Sequence, residues 1–381
     1  MILAKKVRII PNVEQEQKLW QSVGTARFIY NWTLGRQDEN YKNGGKFIKD
    51  EDLRKELTIL KKSELNWLSE VSNNVAKQAV KDACNAYKNF FKGLADKPKF
   101  KSRRKSKPSF YNDTHKLKVK ENLVLVEKVG WIKTAEQIPM DTKYTNPRIS
   151  FDGKFWYISV GIEKREPIPE NTGISIGVDL GLKDLAIVSN IDRRFKNINK
   201  TKEVKRLKKK LKRKQRQVSK KYEKGKIQIG KEGENRYKFT KTNNIKKLER
   251  EIKLIQRRLS NIRLNHIHQT TTAIVKTKPS RIVVEDLNVK GMLKNKHLSK
   301  AISEQCFHKF ISILEYKSKF NGIEFVKADR FYPSSKTCSC CGTIKKDLKL
   351  KDRVFICPSC NSSIDRDKNA SINLSKYKES A

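Results

Sequence analysis

The sequence predicts a mixed multidomain chain, partly α+β and partly α/β. A helical segment is set into a small antiparallel β-domain, and an α/β domain broken by a cysteine-rich module follows. Two observations predict this. Apolar residues recur with a helical period from about residue 12 to Phe91, with a period of two from Lys116 to Lys164, and then as short apolar strands alternating with long helical runs. The chain has 381 residues and a net charge of +45 (86 Lys and Arg against 41 Asp and Glu), yet 36 % of it is hydrophobic. A core can therefore form, and the uncompensated charge calls for a polyanionic partner such as nucleic acid.

The elements follow in order. Ile2, Val7, Ile9 and Ile10 mark a first strand that Pro11 ends, and Asn12 with Gln15 three positions on forms a capping box. Val75, Ala79, Ala83, Ala86, Phe90 and Leu94 form an apolar stripe expected to face the core, with Asn74, Lys77, Gln78 and Lys81 opposite. Residues 96–110 are a basic, proline-punctuated connector whose Lys101, Arg103, Arg104 and Lys107, with Asn74, Lys77 and Gln78, are the expected nucleic-acid contacts. Turns at Glu121–Asn122 and Asp152–Gly153 separate alternating runs, as hairpins require, and predict a barrel that the first strand joins. Pro167, Pro169 and Gly173 mark a linker, followed by the strand ISIGVDLG and a second strand through Leu185, Ala186, Ile187 and Val188.

A helical hairpin is expected over 200–265. Its returning arm places Ile245, Leu248, Ile252, Ile255, Leu259 and Ile262 on an a/d seam, and its outgoing arm has a thinner seam of Val204, Leu207 and Leu211. Residues 202–217 of the outgoing arm hold ten Lys or Arg in sixteen, which reads either as a solvated face or, preferably, as a phosphate contact. Residues 281–287 form another buried strand, Cys306–Lys319 another helix, and a last helix begins near Asp367. No run of 18 apolar residues and no secretory leader are present, and seven cysteines suit a reducing cytosol and a metal.

Two motifs carry chemistry. Cys338 with Cys341, and Cys357 with Cys360, are CxxC pairs separated by fifteen residues, the spacing of a closed four-thiolate site for one structural zinc; Cys340 is left unliganded. Asp179 lies inside an apolar strand, Glu285 ends another, and Asp365 and Asp367 stand where the last helix starts. Each alone could be a cap or an ion-pair partner, but together they form the acid set on which two-metal phosphodiester cleavage with two Mg2+ is built. No competing nucleophile constellation is present.

Asp179 in GVDLGLKDLA, Glu285 in VVEDL, the two CxxC pairs and DRDKNA, with RFIYNWTL near residue 30, AYKNFF at 86–91 and KPKFKSRR at 97–104, resemble the TnpB (OrfB) family of transposon-encoded RNA-guided nucleases, which is related to the type V CRISPR effectors. The resemblance covers nearly the whole chain and keeps all three acids, a triad from which nuclease-silent relatives have lost acids. It implies a helical recognition lobe (12–96) inserted in a β-barrel wedge domain (1–11 and 97–170). A ribonuclease-H-like RuvC domain (171–332) follows, with a zinc ribbon (333–363) interrupting it before its final segment (364–381). It also implies a prokaryotic cytoplasmic protein that acts as one copy per guide RNA. That non-coding RNA, made from the transposon end, directs cleavage of double-stranded DNA beside a short motif and so keeps the element at its donor site.

Two other functions stay in view: a nuclease-silent DNA-binding regulator, and an RNA-binding zinc-ribbon protein of translation. Asn74 and Gln78, four apart on a helix, are candidate readers of adenine in the adjacent motif, the alternative being a solvated polar face. Asp365 and Asp367 point about 200° apart on a helix. Asp365 suits an N-cap and Asp367 the third metal ligand, the latter also because related guided nucleases place that ligand in a D-x-N-A-like segment.

Overall fold

Alternating buried and exposed side chains make residues Ile2–Ile10 a strand, β1. In the computed structural model of the protein, residues 1–140, 142–165, 167, 169–229, 237–349 and 352–378 are described. They fall into two units, Met1–Arg165 and Glu166–Ala381.

In the first unit, β1 ends at Pro11 and α1 (Val13–Lys42) begins at once. The Asn12 side chain accepts from the Gln15 amide at 2.8 Å and the Gln15 side chain accepts from the Asn12 amide at 3.0 Å, closing the expected capping box. α2 (Asp50–Leu60) and α3 (Asn73–Phe91, capped by Ser72) complete the helical part. β2 (Ser109–Tyr111), β3 (Lys118–Lys120), β4 (Leu123–Val126), β5 (Gly130–Thr134), β6 (Tyr144–Phe151) and β7 (Trp156–Glu163) follow. Both expected turns form: Glu121 and Asn122 link the paired ends Lys120 and Leu123, and Gly153 takes φ +97° between Phe151 and Trp156. The sheet order is β2-β6-β7-β1-β5-β4-β3, so β1 joins it at the centre, and β2 and β3 remain as edges rather than pairing with each other. The inner sheet face (Val7, Ile9, Val124, Ile132, Ile149, Ile158) shares one core with Leu19 and Val23 of α1 and Val75 of α3.

The stripe expected on α3 is corrected. Val75, Ala79 and Ala83 are buried, but Ala86 is half-buried, Phe90 is 36 % exposed, and Leu94, beyond the helix end, is 74 % exposed. Ala76, Val80, Cys84 and Tyr87 are buried instead. The reason is that α3 has neighbours on two sides. It packs on the sheet core through Val75 and on Ile29, Leu53 and Leu57 of α1 and α2 through Ala76, Val80 and Cys84.

In the second unit, β8 (Ser175–Leu180), β9 (Asp184–Val188) and β10 (Ile191–Lys196) form an antiparallel meander. α4 (Lys202–Lys224), β11 (Lys226–Gln228), β12 (Tyr237–Phe239) and α5 (Asn243–Val275) follow. Part of the hairpin seam forms as read: Val204, Leu207 and Leu211 meet Ile255, Leu259 and Ile262, while Ile245, Leu248 and Ile252 lie outside that cluster. α5 runs ten residues beyond the expected end at 265, because Ile267, Ile274 and Val275 continue into the core of the next layer. β13 (Arg281–Glu285), α6 (Val289–Lys294), α7 (Ser299–Gln305), α8 (Phe307–Phe320) and β14 (Glu324–Ala328) complete the main sheet, ordered β10-β9-β8-β13-β14, with β13 parallel to both β8 and β14. The cysteine module, containing β15 (Val354–Ile356) and β16 (Ser363–Asp365), precedes α9 (Arg366–Ser375).

One sheet face (Ile176, Val178, Ile282, Val284) packs on α5 and α8 through Ile267, Ile274, Phe307 and Phe310. The other carries α9, with Val283, Val326 and Ala328 against Leu374, and Tyr377 just beyond the helix. Gly177 makes that second approach possible: a Cβ there would lie 2.0 Å from the Ser371 carbonyl oxygen and 2.6 Å from Leu374 Cβ. Among the described residues, no helix is long and apolar enough to cross a membrane.

Candidate active site and thiolate cluster

Strand alternation decides where the acids point. Gly177 and Val283 face α9, so Asp179 and Glu285, two residues further along their strands, share that face. They lie one position beyond the last pair that β8 and β13 make with each other, Val178 with Val284, near the C-terminal ends of these neighbouring parallel strands. α9 brings Asp367 to them in its first turn. Burial first, and then the charges of Glu285 and Asp367, push the Asp179 carboxyl well above the usual carboxylate range, while Arg366 pulls the other way. The structure therefore gathers the three sequence-predicted acids at one corner of the sheet. Their oxygens do not close into a cage: among the described residues, the only group of three or more metal-ligating side chains whose ligand atoms all lie within 4.8 Å of one another is that of the four cysteines.

Asp365 does a different job. It is the N-cap of α9, accepting from the amides of Asp367 and Lys368 at 3.1 Å each. Its second oxygen meets Arg194 at 3.0 Å. Burial pushes its pKa up, but Arg194 and the two amides outweigh that and leave it lowered. Lys368 fixes the same turn to the sheet, donating to the carbonyls of Val188, Ser189 and Ile191.

The four cysteines sit on two tight turns. In the first, Gly342 N–H donates to Cys338 O with Gly342 at φ +79°; in the second, Asn361 N–H donates to Cys357 O with Asn361 at φ +54°. Two sulfur pairs, Cys338–Cys360 and Cys341–Cys357, stand 3.7 and 3.5 Å apart, and all four sulfurs lie within 4.8 Å of one another. Four sulfurs tetrahedral about one zinc at about 2.3 Å would stand about 3.8 Å apart, so the donor set fits that ion. Cys340 is exposed and outside the quartet, as expected.

The expected nucleic-acid contacts divide. Lys77, Arg103, Arg104 and Lys107 are exposed. Lys101 is not a free cation: its Nζ lies 3.5 Å from the Tyr30 ring centroid, and its backbone exchanges hydrogen bonds with the Asn31 side chain at 2.7 and 2.9 Å. Asn74 and Gln78 are also engaged, Asn74 donating to Glu127 at 3.1 Å and Gln78 to Asp82 at 2.9 Å. Asp82 in turn takes both Arg148 guanidinium nitrogens, at 2.8 and 2.9 Å. Each of these two side chains, Asn74 and Gln78, thus has one amide N–H bonded within its own unit. On α4 the surface away from the seam sets Lys209, Lys212, Arg213, Arg216 and Lys220 in one exposed row with Gln217, and none of these cations has an acidic partner among the described residues.

Comparison with known proteins places this arrangement. A Streptomyces pristinaespiralis protein, provisionally named an RNA-guided DNA endonuclease, is 30 % identical over 378 residues, covering 97 % of this chain and 88 % of the relative. The chain belongs to the TnpB (OrfB) family. InsQ of Escherichia coli K12, under the same provisional name, is 29 % identical over 97 % of this chain and 91 % of its own. Family models match in three places: the OrfB/IS605 helix-turn-helix domain at residues 1–46, the OrfB/IS605 model described as "Probable transposase" at 157–296, and the Cas12f1-like TNB domain at 307–374. Among solved structures, the Cas12f1–sgRNA–target DNA complex shares the fold with a TM-score of 0.56 at 16 % identity, over 95 % of this chain and 82 % of that one. The mini-RNA-guided endonuclease Cas-phi3 does so with a TM-score of 0.52 at 10 % identity, over 99 % and 92 %. For this TnpB-family chain the residues that sequence reasoning missed are Ser334, Asn369 and Asn373. They are buried polar groups whose partners lie far away in sequence, so no local pattern marks them.

Proposed function

We propose that this chain is an RNA-guided DNA endonuclease encoded by an insertion sequence, and that Asp179, Glu285 and Asp367 form its cutting site. The observation that carries the reading is the convergence of two strand-end carboxylates and a helix-start carboxylate on one face of a β10-β9-β8-β13-β14 sheet. Three antiparallel strands followed by two parallel ones is the arrangement of a ribonuclease-H-like core, and acids at the ends of parallel strands are where such a sheet offers a site.

The donor set is all carboxylate oxygen, which suits hard cations such as Mg2+. Two bound Mg2+ would supply an activated water and stabilisation of the leaving oxygen. The chain's own contribution is placement. Asp179 is held by a buried strand, Glu285 by the hydroxyl of Ser334, and Asp367 by a first turn that Asp365 caps and Lys368 anchors. Cys338, Cys341, Cys357 and Cys360 would hold one structural zinc. The net charge of +45, the exposed cations of residues 103–107 and the row on α4 provide the surface to grip a guide RNA and target DNA through their backbones. The working unit in this reading is one chain per guide RNA in the prokaryotic cytosol, with the helical part as recognition lobe and the seven-stranded sheet as wedge.

The test is plasmid cleavage by protein purified with its copurifying RNA, with that RNA sequenced. Cleavage should require both RNA and Mg2+, and Asp179→Ala should abolish cutting while guided DNA binding stays nearly intact. Cutting by Asp179→Ala would remove the site assignment. RNA-dependent binding without any cutting by the unaltered chain would favour a nuclease-silent regulator.

A further inference from the structure

Between β14 and the cysteine module, the segment Pro333–Ser339 touches both centres just described. Ser334 is 2 % exposed, and its hydroxyl donates to one oxygen of Glu285 at 2.5 Å. With no water in reach of so buried a hydroxyl, the bond fixes Glu285's side-chain rotation and leaves its other oxygen as the free one.

Five residues on, Ser339 follows Cys338, the first residue of the quartet, and its amide donates to Asn369 Oδ1 at 2.9 Å. Asn369 Nδ2 donates to the Thr337 carbonyl at 2.7 Å. One turn later on α9, Asn373 Nδ2 donates to the carbonyls of Ser334 at 2.7 Å and Thr337 at 2.6 Å. Asn369 and Asn373 are 0 % and 3 % exposed, so these bonds form without competition from water. Thr337 Oγ1 donates to Pro333 O at 2.9 Å and folds the loop on itself. Asn369 stands two residues from Asp367 on the same helix, and Asn373 six.

We propose that Ser334 is a positioning residue for Glu285. Asn369 and Asn373 bind its loop both to the first cysteine turn and to the helix carrying Asp367, so that the zinc-binding cluster and the carboxylate site are held as one rigid piece. This rests on the reading that Glu285 and Asp367 hold the divalent cations. The alternative is that all three side chains merely satisfy buried polar groups. A purely structural role lowers stability but leaves the pairwise coupling between Ser334 and Glu285 at zero.

The experiment is a Mn2+ titration of the RNA-loaded protein without DNA, followed by electron paramagnetic resonance, for wild type, Ser334→Ala, Glu285→Ala and the double variant. Ser334→Ala should weaken Mn2+ binding about tenfold, the lower end for removing a residue that orients a ligand, with zinc content and RNA binding unchanged. In the Glu285→Ala background the same substitution should change Mn2+ affinity less than about twofold, because the two act as a unit. Should Ser334→Ala not fold, Asn369→Ser, which loosens the loop without touching Glu285, is expected to weaken Mn2+ binding in the same direction. Wild-type Mn2+ affinity in Ser334→Ala, or losses that multiply in the double variant, would overturn the positioning role. Wild-type affinity in Glu285→Ala would instead overturn the site assignment on which it rests.

Discussion

Gly177→Ala places one methyl group where α9 crosses β8. The new Cβ would stand 2.0 Å from Ser371 O, 2.6 Å from Leu374 Cβ and 2.6 Å from Ser375 N, two of them backbone atoms that cannot turn aside. Ordinary contact begins at 3.4 Å, so α9 must retreat by more than an ångström, and Ser371 and Leu374, both 0 % exposed, lose their packing. Overpacking of this kind costs about 1–3 kcal/mol. Asp367 lies one turn from Ser371 and moves with the helix. A misplacement of about 1 Å in a catalytic group costs on the order of 100-fold in rate, or about 2.7 kcal/mol of barrier. Single-turnover cleavage of plasmid by the RNA-loaded variant should therefore fall about 100-fold, and thermal unfolding should drop by several degrees, with guided DNA binding kept within about threefold. Gly24→Ala, on α1 with nothing within 4 Å of the added Cβ, is the control and should be neutral or stabilising by about 0.5–1 kcal/mol. Cleavage by Gly177→Ala within threefold of wild type at an unchanged melting temperature would refute the reasoning.

Asp367→Asn should lose cleavage by several orders of magnitude, whereas Asp365→Asn should keep most activity and cost about 1 kcal/mol or less, since Asn caps nearly as well; the reverse outcome in the plasmid assay would move the third ligand two residues back. Cys357→Ser should lower zinc per chain, measured by elemental analysis, together with stability and cleavage, because structural zinc contributes folding free energy directly. Burial raises the Asp82 carboxyl pKa, but the paired bonds from Arg148 and the bond from Gln78 lower it further, for a net decrease. The stability this gives is present above the unfolded value of about 3.9 and is lost as pH falls through the lower folded value. Arg148→Ala should accordingly destabilise the chain by about 1–2 kcal/mol near neutrality in denaturant titrations, and the difference should shrink below about pH 4.

Signals read within a few residues of their cause were legible in the sequence. The Asn12–Gln15 box, the two-residue turn at Glu121–Asn122, the Asp365 cap and the spacing of the four cysteines all depend on neighbours along the chain, and the structure forms each. Periodicity gave part of the hairpin seam, because the apolar residues there gather in one cluster between the two arms. It misplaced Phe90 and Leu94 because α3 has neighbours on two sides. The strands β10 and β14 were not legible, because what makes each a strand is the neighbour it pairs with. Charge counts found the basic connector but could not show that Lys101 covers the Tyr30 ring. Amide side chains at helical spacing suggested base reading at Asn74 and Gln78, but spacing could not show that each donates one N–H to a carboxylate of its own unit.

The docking of α9 on β8 also sets an order of events during synthesis. Ser175 donates to the carbonyl of Ser375 across 200 residues, so the face that collects Asp179, Glu285 and Asp367 cannot close until that much more chain has left the ribosome. Contacts this distant in sequence are also the slow ones to form. The exposed cations of residues 103–107 and of α4 precede that closure. A nascent chain therefore presents these cationic surfaces before it possesses a complete set of acids.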